Sequence, residues 1–214
     1  MEIVNKAVEQ YIETYSSEEH PVLYEIWRQT NLKTFYPNMV SGKVQGQFLK
    51  MIVQMIRPQR ILEIGTFTGY SAVAMAMALP DGGKLITIDN NEEIETLARG
   101  FFEKAGLTGK IDLLIGEALD IINELDETLD LVFIDADKEQ YLDYYQAVFP
   151  KIKKGGFILA DNVLWGGKAL EAPKKTDKET SGIRKFNDFV KSDKRVEKVM
   201  LPIRDGLYLI RKNS

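Results

Sequence analysis

Two apolar stretches of the sequence each run directly into side chains that could do chemistry. In "LVFIDADKEQY" (131–141), Asp135, Asp137 and Lys138 follow four apolar residues, and in "GGFILADN" (155–162), Asp161 and Asn162 do the same. Carboxylate and amide oxygens are the ligands that hard divalent cations prefer. Acidic residues also favour the first turn of a helix. The spacing therefore predicts either a cation site or helix caps, and Asp137 is well suited to capping.

The remaining composition narrows the chemistry that these positions can support. The chain has no cysteine and one histidine, His20, which excludes disulfides, thiolate nucleophiles, cysteine-based zinc sites and multi-histidine metal sites. His20 lies in the acidic, turn-like stretch "SSEEHP" and is interpreted as a surface residue. General-base chemistry must then come from Asp, Glu, Lys or Tyr. A metal must be held by oxygen, which favours Mg²⁺, Ca²⁺ or Mn²⁺.

The secondary-structure elements that could position these residues alternate regularly between strand and helix after Pro58. Repeated strand and helix predict an α/β fold, with a mostly parallel sheet and helices on both faces. Two apolar runs around "PIRDG" (202–206) predict an antiparallel hairpin at the sheet edge, which gives a Rossmann-like sheet of seven strands. Strands are predicted at 60–64, 84–89, 110–115, 129–134 and 156–160, and helices at about 70–79, 91–105, 117–125, 139–153 and 180–192.

The first 57 residues are predicted to be helical. Apolar stripes indicate helices at 3–15 and 44–56, and a helix is expected to start near Ser17, with Glu18 and Glu19 in its first turn. The chain, 1–214, is expected to be a single domain, with 1–57 as N-terminal helices and 58–214 as the core. The irregular segment 162–179 is long enough to be a functional loop.

Strand order decides whether the two acidic strand ends meet. Ligands of open α/β sheets bind outside the carboxyl ends of the strands, where the strand order reverses. If the strands at 129–134 and 156–160 are parallel neighbours, about 4.8 Å apart, then Asp135, Asp161 and Asn162 converge. Two carboxylates placed so close would repel each other without a cation. We therefore expect these three residues to hold a divalent cation.

The end of the first strand, "LEIGTFTGYSA" (62–72), indicates a nucleoside site. Gly65 and Gly69 bracket the strand-to-helix turn, where backbone can approach a ligand closely. Phe67 takes the middle glycine position of GxGxxG, which argues against a pyrophosphate ligand such as NAD or FAD. Asp89 ends the second strand, where a carboxylate can accept hydrogen bonds from both ribose hydroxyls. A tight turn without a ligand is the alternative for the glycine pair alone.

Four segments closely resemble the cation-dependent O-methyltransferases of the caffeoyl-CoA and catechol type. They are "LEIGTFTGYS", "IDADKEQYLDYY", "GGFILADNVLWGG" and "MLPIRDGL", in the family's order. The similarity runs from about Ser41 to Arg211 and is loose over the first 40 residues. The resemblance implies a single-domain class I methyltransferase that uses S-adenosylmethionine (SAM) and a divalent cation, and that is usually a homodimer.

The resemblance also assigns roles to individual residues. It implies that Asp135, Asp161 and Asn162 hold the cation and that Lys138 is the catalytic lysine. Asp135, Lys138 and Asn162 would also contact the acceptor. The residues that it assigns to SAM are Ser41, Glu63, Gly65, Thr66, Ser71, Asp89, Ala118 and Asp137.

The acceptor site is expected to draw on two further segments. Trp165 and the 162–179 loop are expected to cover the acceptor, with ordinary packing as the alternative for Trp165. The segment before Ser41 is expected to complete the pocket. Its aromatic side chains could equally belong to the core or to a dimer contact, and these are Tyr24, Trp27, Phe35 and Tyr36.

The expected reaction is methyl transfer from SAM to a hydroxyl of a catechol-type, ortho-diphenol small molecule. A phenol ionises only near pH ~10, whereas two vicinal hydroxyls that chelate a cation lose a proton more easily. Lys138 can accept that proton if burial and the cation lower its pKa. The alternative for Lys138 is a solvated lysine at the start of a helix.

Three other functions stay open from the sequence. A tRNA wobble 5-hydroxyuridine methyltransferase is one, but the net charge of −4 and the lack of an Arg/Lys–aromatic stripe argue against nucleic acid. A non-catalytic nucleoside-binding protein would need neither the cation set nor Lys138. A dehydrogenase would need the missing middle glycine. Without a signal-peptide core or a membrane-length apolar run, the protein is expected to be cytoplasmic.

Overall fold

The computed structural model describes residues 5–213. Its seven strands form one mixed sheet. The strands are β1 (Arg60–Ile64), β2 (Lys84–Asp89), β3 (Ile111–Ile115), β4 (Leu129–Ile134), β5 (Ile152–Ala160), β6 (Val196–Leu201) and β7 (Leu207–Lys212). Their order is β3-β2-β1-β4-β5-β7-β6, so β3 and β6 are the edge strands. Pairing is parallel for β1–β2, β2–β3 and β4–β5, and β7 is antiparallel to both β5 and β6. The predicted α/β class, mostly parallel sheet and C-terminal hairpin are confirmed.

In the part of the chain that the structure describes, eight α-helices connect or precede these strands. They are α1 (Lys6–Thr14), α2 (Pro21–Lys33), α3 (Lys43–Ile56), α4 (Tyr70–Ala76), α5 (Glu95–Lys104), α6 (Ala118–Glu124), α7 (Tyr141–Val148) and α8 (Lys178–Ser192). The chain groups into two compact units, one of Lys6–Glu117 and one that contains Ala118 and the residues after it. The predicted division at residue 57 stays a prediction. Within residues 5–213, no helix has the length and apolar content needed to cross a membrane.

The first unit is built on β1 and α4. Ile61, Leu62 and Ile64 of β1 are fully buried, and all seven residues of α4, "YSAVAMA", are buried as well. Mostly small side chains allow α4 to be enclosed on every side. A buried hydroxyl pair, Thr30 and Thr68, joins α2 to the turn before α4, with 2.7 Å between the two oxygens. These contacts hold the β1–α4 turn, where the predicted nucleoside site begins.

The second unit packs around β4 and an aromatic cluster. Every residue of β4 is buried. The rings of Tyr141, Tyr145 and Phe186 are enclosed and meet edge to face, with Phe186 5.7 Å from Tyr141 and 5.9 Å from Tyr145 between ring centroids. Such edge-to-face pairs stabilise a core beyond the area that they bury. The cluster fixes α7 and α8 against each other, and with them the segment that follows β4.

The start of α2 differs from the prediction. The helix begins at Pro21, so Glu18 and Glu19 precede it and do not lie in its first turn. Proline is favoured at the first helical position because its missing N–H would have had no helical partner there. His20 is exposed, as expected, and is also the N-cap, because its Nδ1 accepts a hydrogen bond from the Val22 N–H at 3.3 Å.

The end of α7 was also predicted too late. A helix was expected over 139–153, but α7 ends at Val148, a 3₁₀ turn spans Phe149–Lys151, and β5 already starts at Ile152. Pro150 has no N–H to donate and its ring clashes with the preceding helical turn, so the α-helix stops there. The predicted helix at 3–15 is observed over Lys6–Thr14, and residues 3 and 4 lie outside the described residues.

Aromatic residues near the N-terminus are not core residues. Tyr24, Trp27, Phe35 and Tyr36 are all exposed, and the Phe35 side chain is 96% exposed. The apolar stripe of α1 is exposed too, since no residue of that helix is buried. Of the interpretations offered by the sequence, the structure therefore excludes the core for these four side chains.

Candidate active site

Asp135 and Asp161 directly follow two neighbouring parallel strands. The register pairs Ile134 of β4 with Ala160 of β5, so the residues that follow each strand come side by side. The Asp161 N–H donates to the Ile134 carbonyl at 2.9 Å, which extends the ladder to this last position. Asp161 is buried and Asp135 is half-buried. The neighbouring strands that the cation prediction required are therefore present, and the role of the two carboxylates stays a prediction.

Asn162 continues this strand end with an unusual backbone. Its φ is 55°, a left-handed conformation that asparagine tolerates better than most residues. Its N–H donates to Asp161 Oδ1 at 2.8 Å, and its carbonyl accepts the Trp165 N–H at 3.0 Å. The turn at Asn162 thus orients the Asp161 carboxylate and begins the loop that leads to Trp165.

The donor chemistry of these residues fits a hard divalent cation. Asp135, Asp161 and Asn162 offer only oxygen ligands, which suit Mg²⁺, Ca²⁺ or Mn²⁺. Across residues 5–213, no three His, Cys, Asp or Glu side chains gather into one metal site. The predicted set reaches three ligands only because the amide oxygen of Asn162 is counted. Such a set leaves coordination positions for water or for an acceptor.

Lys138 is buried and makes two hydrogen bonds. Its side chain lies beside the strand end, and the residue is only 8% exposed. Nζ donates to Asp135 Oδ1 at 2.8 Å and to the Tyr141 hydroxyl at 2.8 Å. A solvated lysine at a helix start, the alternative left open by the sequence, is therefore excluded. Lys138 instead neutralises part of the negative charge at the end of β4.

The protein neighbours of Lys138 raise its pKa, and the effect of a bound cation on that pKa stays a prediction. Burial is the largest influence and lowers it, but the Asp135 carboxylate and Tyr141 outweigh burial, so that the pKa is raised above its ordinary value. Burial also raises the pKa of the Tyr141 hydroxyl, although Lys138 opposes that shift. Among its protein neighbours alone, Lys138 is thus a protonated donor beside a neutral tyrosine. The predicted fall in the pKa of Lys138 required both burial and a cation, and burial alone does not outweigh the hydrogen bond to Asp135.

Two residues that hold Lys138 were not identified from the sequence. The Tyr141 hydroxyl accepts from Lys138 Nζ and donates to the Asp161 carbonyl oxygen at 3.1 Å, so it links the ends of β4 and β5. Gly182 of α8 lies against the backbone of the lysine, where an added Cβ would meet the Lys138 carbonyl oxygen and lie 2.7 Å from the Glu139 Cα. In the sequence, Tyr141 resembles an ordinary core aromatic residue and Gly182 resembles a glycine of low helix propensity. Neither pattern indicates a contact with Lys138.

Asp137 caps the 3₁₀ turn that precedes α7. Its Oδ1 accepts the Glu139 N–H and its Oδ2 accepts from Gln140 Nε2, each at 3.0 Å. The capping interpretation is therefore confirmed for this residue. Its predicted contact with SAM stays a prediction.

Asp89 holds the turn between β1 and α4. Its Oδ2 accepts the N–H groups of Thr66 at 3.0 Å and Phe67 at 2.7 Å, and its Oδ1 accepts the Asn91 N–H at 3.0 Å. Gly65 has a φ of 98°, and Phe67, at the position of the missing glycine, is also left-handed with a φ of 47°. The turn therefore reaches its shape without the middle glycine, because the carboxylate fixes both amides.

A chain of hydroxyl groups lies below this turn. Thr87 Oγ1 donates to Glu63 Oε2 at 2.6 Å and lies 2.6 Å from Thr66 Oγ1, which must then donate to it. All three side chains are buried, Glu63 completely. Thr87 was not predicted as a site residue because a β-branched residue in a buried strand has the appearance of core packing. Its hydroxyl orients both Glu63 and Thr66, two of the predicted SAM contacts.

The other predicted SAM contacts lie in three places. Ser71 is buried in the first turn of α4, and Ser41 is buried just before α3. Ala118 is the first residue of α6 and is half-buried. The roles of all three residues stay predictions.

Trp165 lies close to the lysine in the second unit. Its φ is 49°, and its half-buried ring lies 5.8 Å from Lys138 Nζ and 5.6 Å from Lys168 Nζ, measured to the centroid. Its Nε1 is buried and has no hydrogen-bond partner among residues 5–213. A buried donor without a partner is unfavourable unless a ligand accepts from it. Ordinary packing does not account for this atom.

Comparisons with known proteins agree on one family. The O-methyltransferase family model matches residues 13–213. A caffeoyl-CoA O-methyltransferase from Eucalyptus gunnii is 37% identical over 219 residues, covering 96% of this chain and 87% of that protein. Caffeoyl-CoA O-methyltransferase 1 from Nicotiana tabacum is 36% identical over 222 residues, covering 97% of this chain and 92% of that protein.

Solved structures give the same answer for the fold. An O-methyltransferase from Bacillus cereus in complex with SAH aligns with a TM-score of 0.85 and 30% identity, over 97% of both chains. An SAH-bound methyltransferase from Podospora anserina aligns with a TM-score of 0.89 and 28% identity, over 97% of this chain and 94% of that one. Because the family model covers most of the chain and the two caffeoyl-CoA O-methyltransferases are 37% and 36% identical over nearly all of it, the chain belongs to the O-methyltransferase family and is a SAM-dependent enzyme.

Proposed function

We propose that the enzyme transfers a methyl group from SAM to one hydroxyl of an ortho-diphenol, in a reaction that requires a divalent cation. One observation carries the proposal. The register of β4 and β5 brings Asp135 and Asp161 side by side, and the buried Lys138 donates to Asp135 at 2.8 Å. Nucleoside binding alone requires neither a pair of strand-end carboxylates nor a buried lysine bonded to one of them.

SAM binding is assigned to the turn that Asp89 holds. The Asp89 carboxylate is oriented by three backbone amides and can accept further hydrogen bonds from ribose hydroxyls, because each oxygen has more than one lone pair. Glu63 and Thr66 are held in place through Thr87. Gly65, Ser71, Ser41, Ala118 and Asp137 complete the proposed SAM set.

The cation is assigned to Asp135, Asp161 and Asn162. When bound there, it would stabilise the ionised form of a diphenol hydroxyl and so lower the pKa of that hydroxyl. The chain's own contribution is orientation. The Asn162 N–H fixes Asp161 Oδ1, and Tyr141 bonds the Asp161 carbonyl, so the ligands are arranged before an acceptor arrives.

Lys138 is assigned to the phenolic proton and Trp165 to the acceptor ring. Lys138 Nζ is the one buried lysine nitrogen at this strand end among the described residues, and it lies between Asp135 and Tyr141. The ring of Trp165 lies near the same nitrogen and carries a donor free to bond an acceptor oxygen. Methyl transfer to an ionised hydroxyl that is aligned with the SAM methyl group needs little further covalent chemistry from the protein.

The competing functions have less support. The curated relatives are named for caffeoyl-CoA, a small thioester, which favours a small acceptor over a tRNA base. A non-catalytic nucleoside-binding protein is not favoured for a member of an enzyme family. We propose the acceptor class only as far as ortho-diphenols, free or carried on a thioester.

A substrate panel with labelled SAM tests the proposal. It compares catechol, caffeate, caffeoyl-CoA, and tRNA with and without 5-hydroxyuridine, each with added Mg²⁺ or with a chelator. We expect transfer to ortho-diphenols that disappears on chelation and returns with Mg²⁺, and no transfer to a monophenol control. Full turnover at a verified absence of metal would contradict the cation, and transfer to hydroxyuridine tRNA alone would contradict the acceptor.

A further inference from the structure

The turn between β6 and β7 holds the segment that follows β5. Three consecutive hydrogen bonds run from that segment to two residues of the turn. The Val163 N–H donates to the Gly206 carbonyl at 3.1 Å, and the Leu164 N–H donates to the Asp205 carbonyl at 3.0 Å. The Gly166 N–H donates to the Asp205 carboxylate through Oδ1. Asp205 is therefore bonded to the backbone on both sides of Trp165.

The segment held in this way has an unfavourable backbone. Trp165, Gly166 and Gly167 are all left-handed, with φ values of 49°, 60° and 81°. Glycine adopts this conformation freely, but a tryptophan does so only where its surroundings hold it. The Gly166 amide belongs to the peptide group that links Trp165 to Gly166. Its bond to Asp205 therefore fixes the orientation of the peptide group that directly follows Trp165.

Gly206 permits the close approach on which these bonds depend. Its φ is 90°, and an added Cβ would lie 2.5 Å from Leu164 Cγ and 2.9 Å from the Leu164 N atom. On the other side, Asn187 of α8 donates from Nδ2 to the Val163 carbonyl at 2.8 Å. The segment 163–166 is thus held from two elements, and the Asp205 carboxylate bonds directly to Gly166, the residue next to Trp165.

We propose that Asp205 is a positioning residue that fixes the Trp165 indole and thereby sets the affinity for the acceptor. The second half of this inference rests on the proposed function, in which Trp165 contacts the acceptor. The indole lies 5.8 Å from Lys138 Nζ, with its Nε1 lacking a partner within the described chain, so its orientation determines where that donor points. The chemistry recognised there is a hydrogen-bond acceptor on an aromatic ring.

Fluorescence of Trp165 can test the positioning without any acceptor. The chain has two tryptophans, so Trp27→Phe leaves Trp165 as the sole emitter. In that background we compare Asp205→Ala, which removes the acceptor oxygen, with Asp205→Asn, which keeps one. We expect Asp205→Ala to shift the emission to longer wavelength and to increase quenching by acrylamide, and Asp205→Asn to stay close to the parent.

Kinetics in the wild-type background test the consequence for the acceptor. We expect Asp205→Ala to raise the KM for the acceptor about tenfold, the effect of one lost hydrogen bond of ordinary strength. The KM for SAM should not change, and Asp205→Asn should restore the acceptor KM. Glu197→Ala, an exposed acid on β6 that pairs with Arg211, is the matched control and should behave as the wild type.

Several results would overturn the inference. One is unchanged emission in Asp205→Ala, and another is an Asp205→Asn variant as altered as Asp205→Ala. Altered emission with an unchanged acceptor KM would overturn the link to the acceptor. If thermal unfolding shows that Asp205→Ala is not folded, Asp205→Glu, which displaces the carboxylate by one methylene, takes its place with the same expectations. The quenching result decides the position of Trp165 whether or not the wild type methylates an ortho-diphenol.

Discussion

At the scale of single residues, replacement of Lys138 distinguishes a role in proton transfer from a role in binding. If Lys138 takes the phenolic proton, Lys138→Ala should bind SAM nearly normally and lose about 10²–10⁴ in turnover with catechol, the usual contribution of a positioned base. A nitrocatechol that is already ionised near neutrality should be much less affected. Parallel turnover assays of the two acceptors measure the difference, with the exposed Lys191→Ala of α8 as the control.

An equal loss with both acceptors would contradict the general base. Lys138 would then act as a fixed ammonium that stabilises the oxyanion. The raised pKa that Asp135 and Tyr141 give to Lys138 is compatible with that second role, which makes the comparison informative in either direction.

Asp89 carries the second prediction at this scale. Asp89→Ala should weaken SAM binding by about 1.5–3 kcal/mol, because it removes a charged acceptor. Part of that loss should come from the turn itself, since the Thr66 and Phe67 amides lose their partner. Calorimetric titration measures the affinity, with the exposed Asp112→Ala of β3 as control. Wild-type affinity in Asp89→Ala would eliminate this assignment.

Sequence patterns predicted the positions of some candidate residues and missed others for physical reasons. The closeness of Asp135 and Asp161 was predictable because neighbouring parallel strands end at one side of a sheet, so the residues that follow them lie side by side. Thr87 and Tyr141 were missed because a buried hydroxyl in an apolar stretch shows its partner only in three dimensions. The hydrogen bond of 2.8 Å from Lys138 to Asp135, which raises the pKa of the lysine, also shows only in three dimensions.

At the scale of elements, the contact between α8 and the Lys138 backbone predicts a sharp contrast between two glycines. Gly182→Ala should destabilise the fold by about 1–3 kcal/mol, because the new Cβ overlaps the Lys138 carbonyl. Gly100 lies inside α5 with open space around it, so Gly100→Ala should stabilise by about 0.4–1 kcal/mol. Urea unfolding of both variants measures the difference, and a neutral Gly182→Ala would show that α8 can move away freely.

The end of α8 predicts how stability responds to acid. Asp193 accepts from Arg195 and from the Tyr145 hydroxyl, and Arg195 is the main reason that the pKa of Asp193 falls to about 2. A lowered folded-state pKa stabilises the fold above pH ~4, the ordinary pKa of an aspartate, and this contribution is lost as the pH falls towards 2. Asp193→Asn should therefore be less stable at neutral pH, and its free energy of unfolding should fall less steeply than that of the wild type between pH ~4 and ~2. Denaturant unfolding at a series of acidic pH values measures this dependence. The same pH dependence in the variant and the wild type would contradict this role of Asp193.

Element types were predictable and element ends were less so. The strands β1, β2 and β4 match the predicted bounds because short, mostly apolar runs mark buried parallel strands. The ends of α2 and α7 were misplaced because Pro21 and Pro150 set them, and a helical pattern continues across such positions in the sequence. The longer β5 includes Lys153, Lys154 and two glycines, which gave no apolar signal.

At the scale of the whole molecule, the exposed stripe of α1 supports a homodimer. Val8, Tyr11 and Ile12 are exposed on α1, which has no buried residue, and Tyr15 is exposed directly after it. Such an apolar face is typical of an interface. We expect the protein to be a dimer and Tyr11→Glu to shift it to monomers, with Glu9→Gln as control. Light scattering measures the mass, and a wild-type monomer at micromolar concentration would contradict the dimer.

The two edge strands of the sheet limit how molecules of this enzyme can aggregate. An exposed strand edge is a template on which another chain can add, and charged side chains discourage such growth. β3 carries Asp112 facing outward, and β6 carries Glu197 and Lys198 within its six residues. Extension of the sheet from one molecule into the next would bring these charges into an intermolecular ladder. A crowded solution of this protein should therefore resist fibre-like growth through its sheet, which leaves helix surfaces as the faces through which copies can meet.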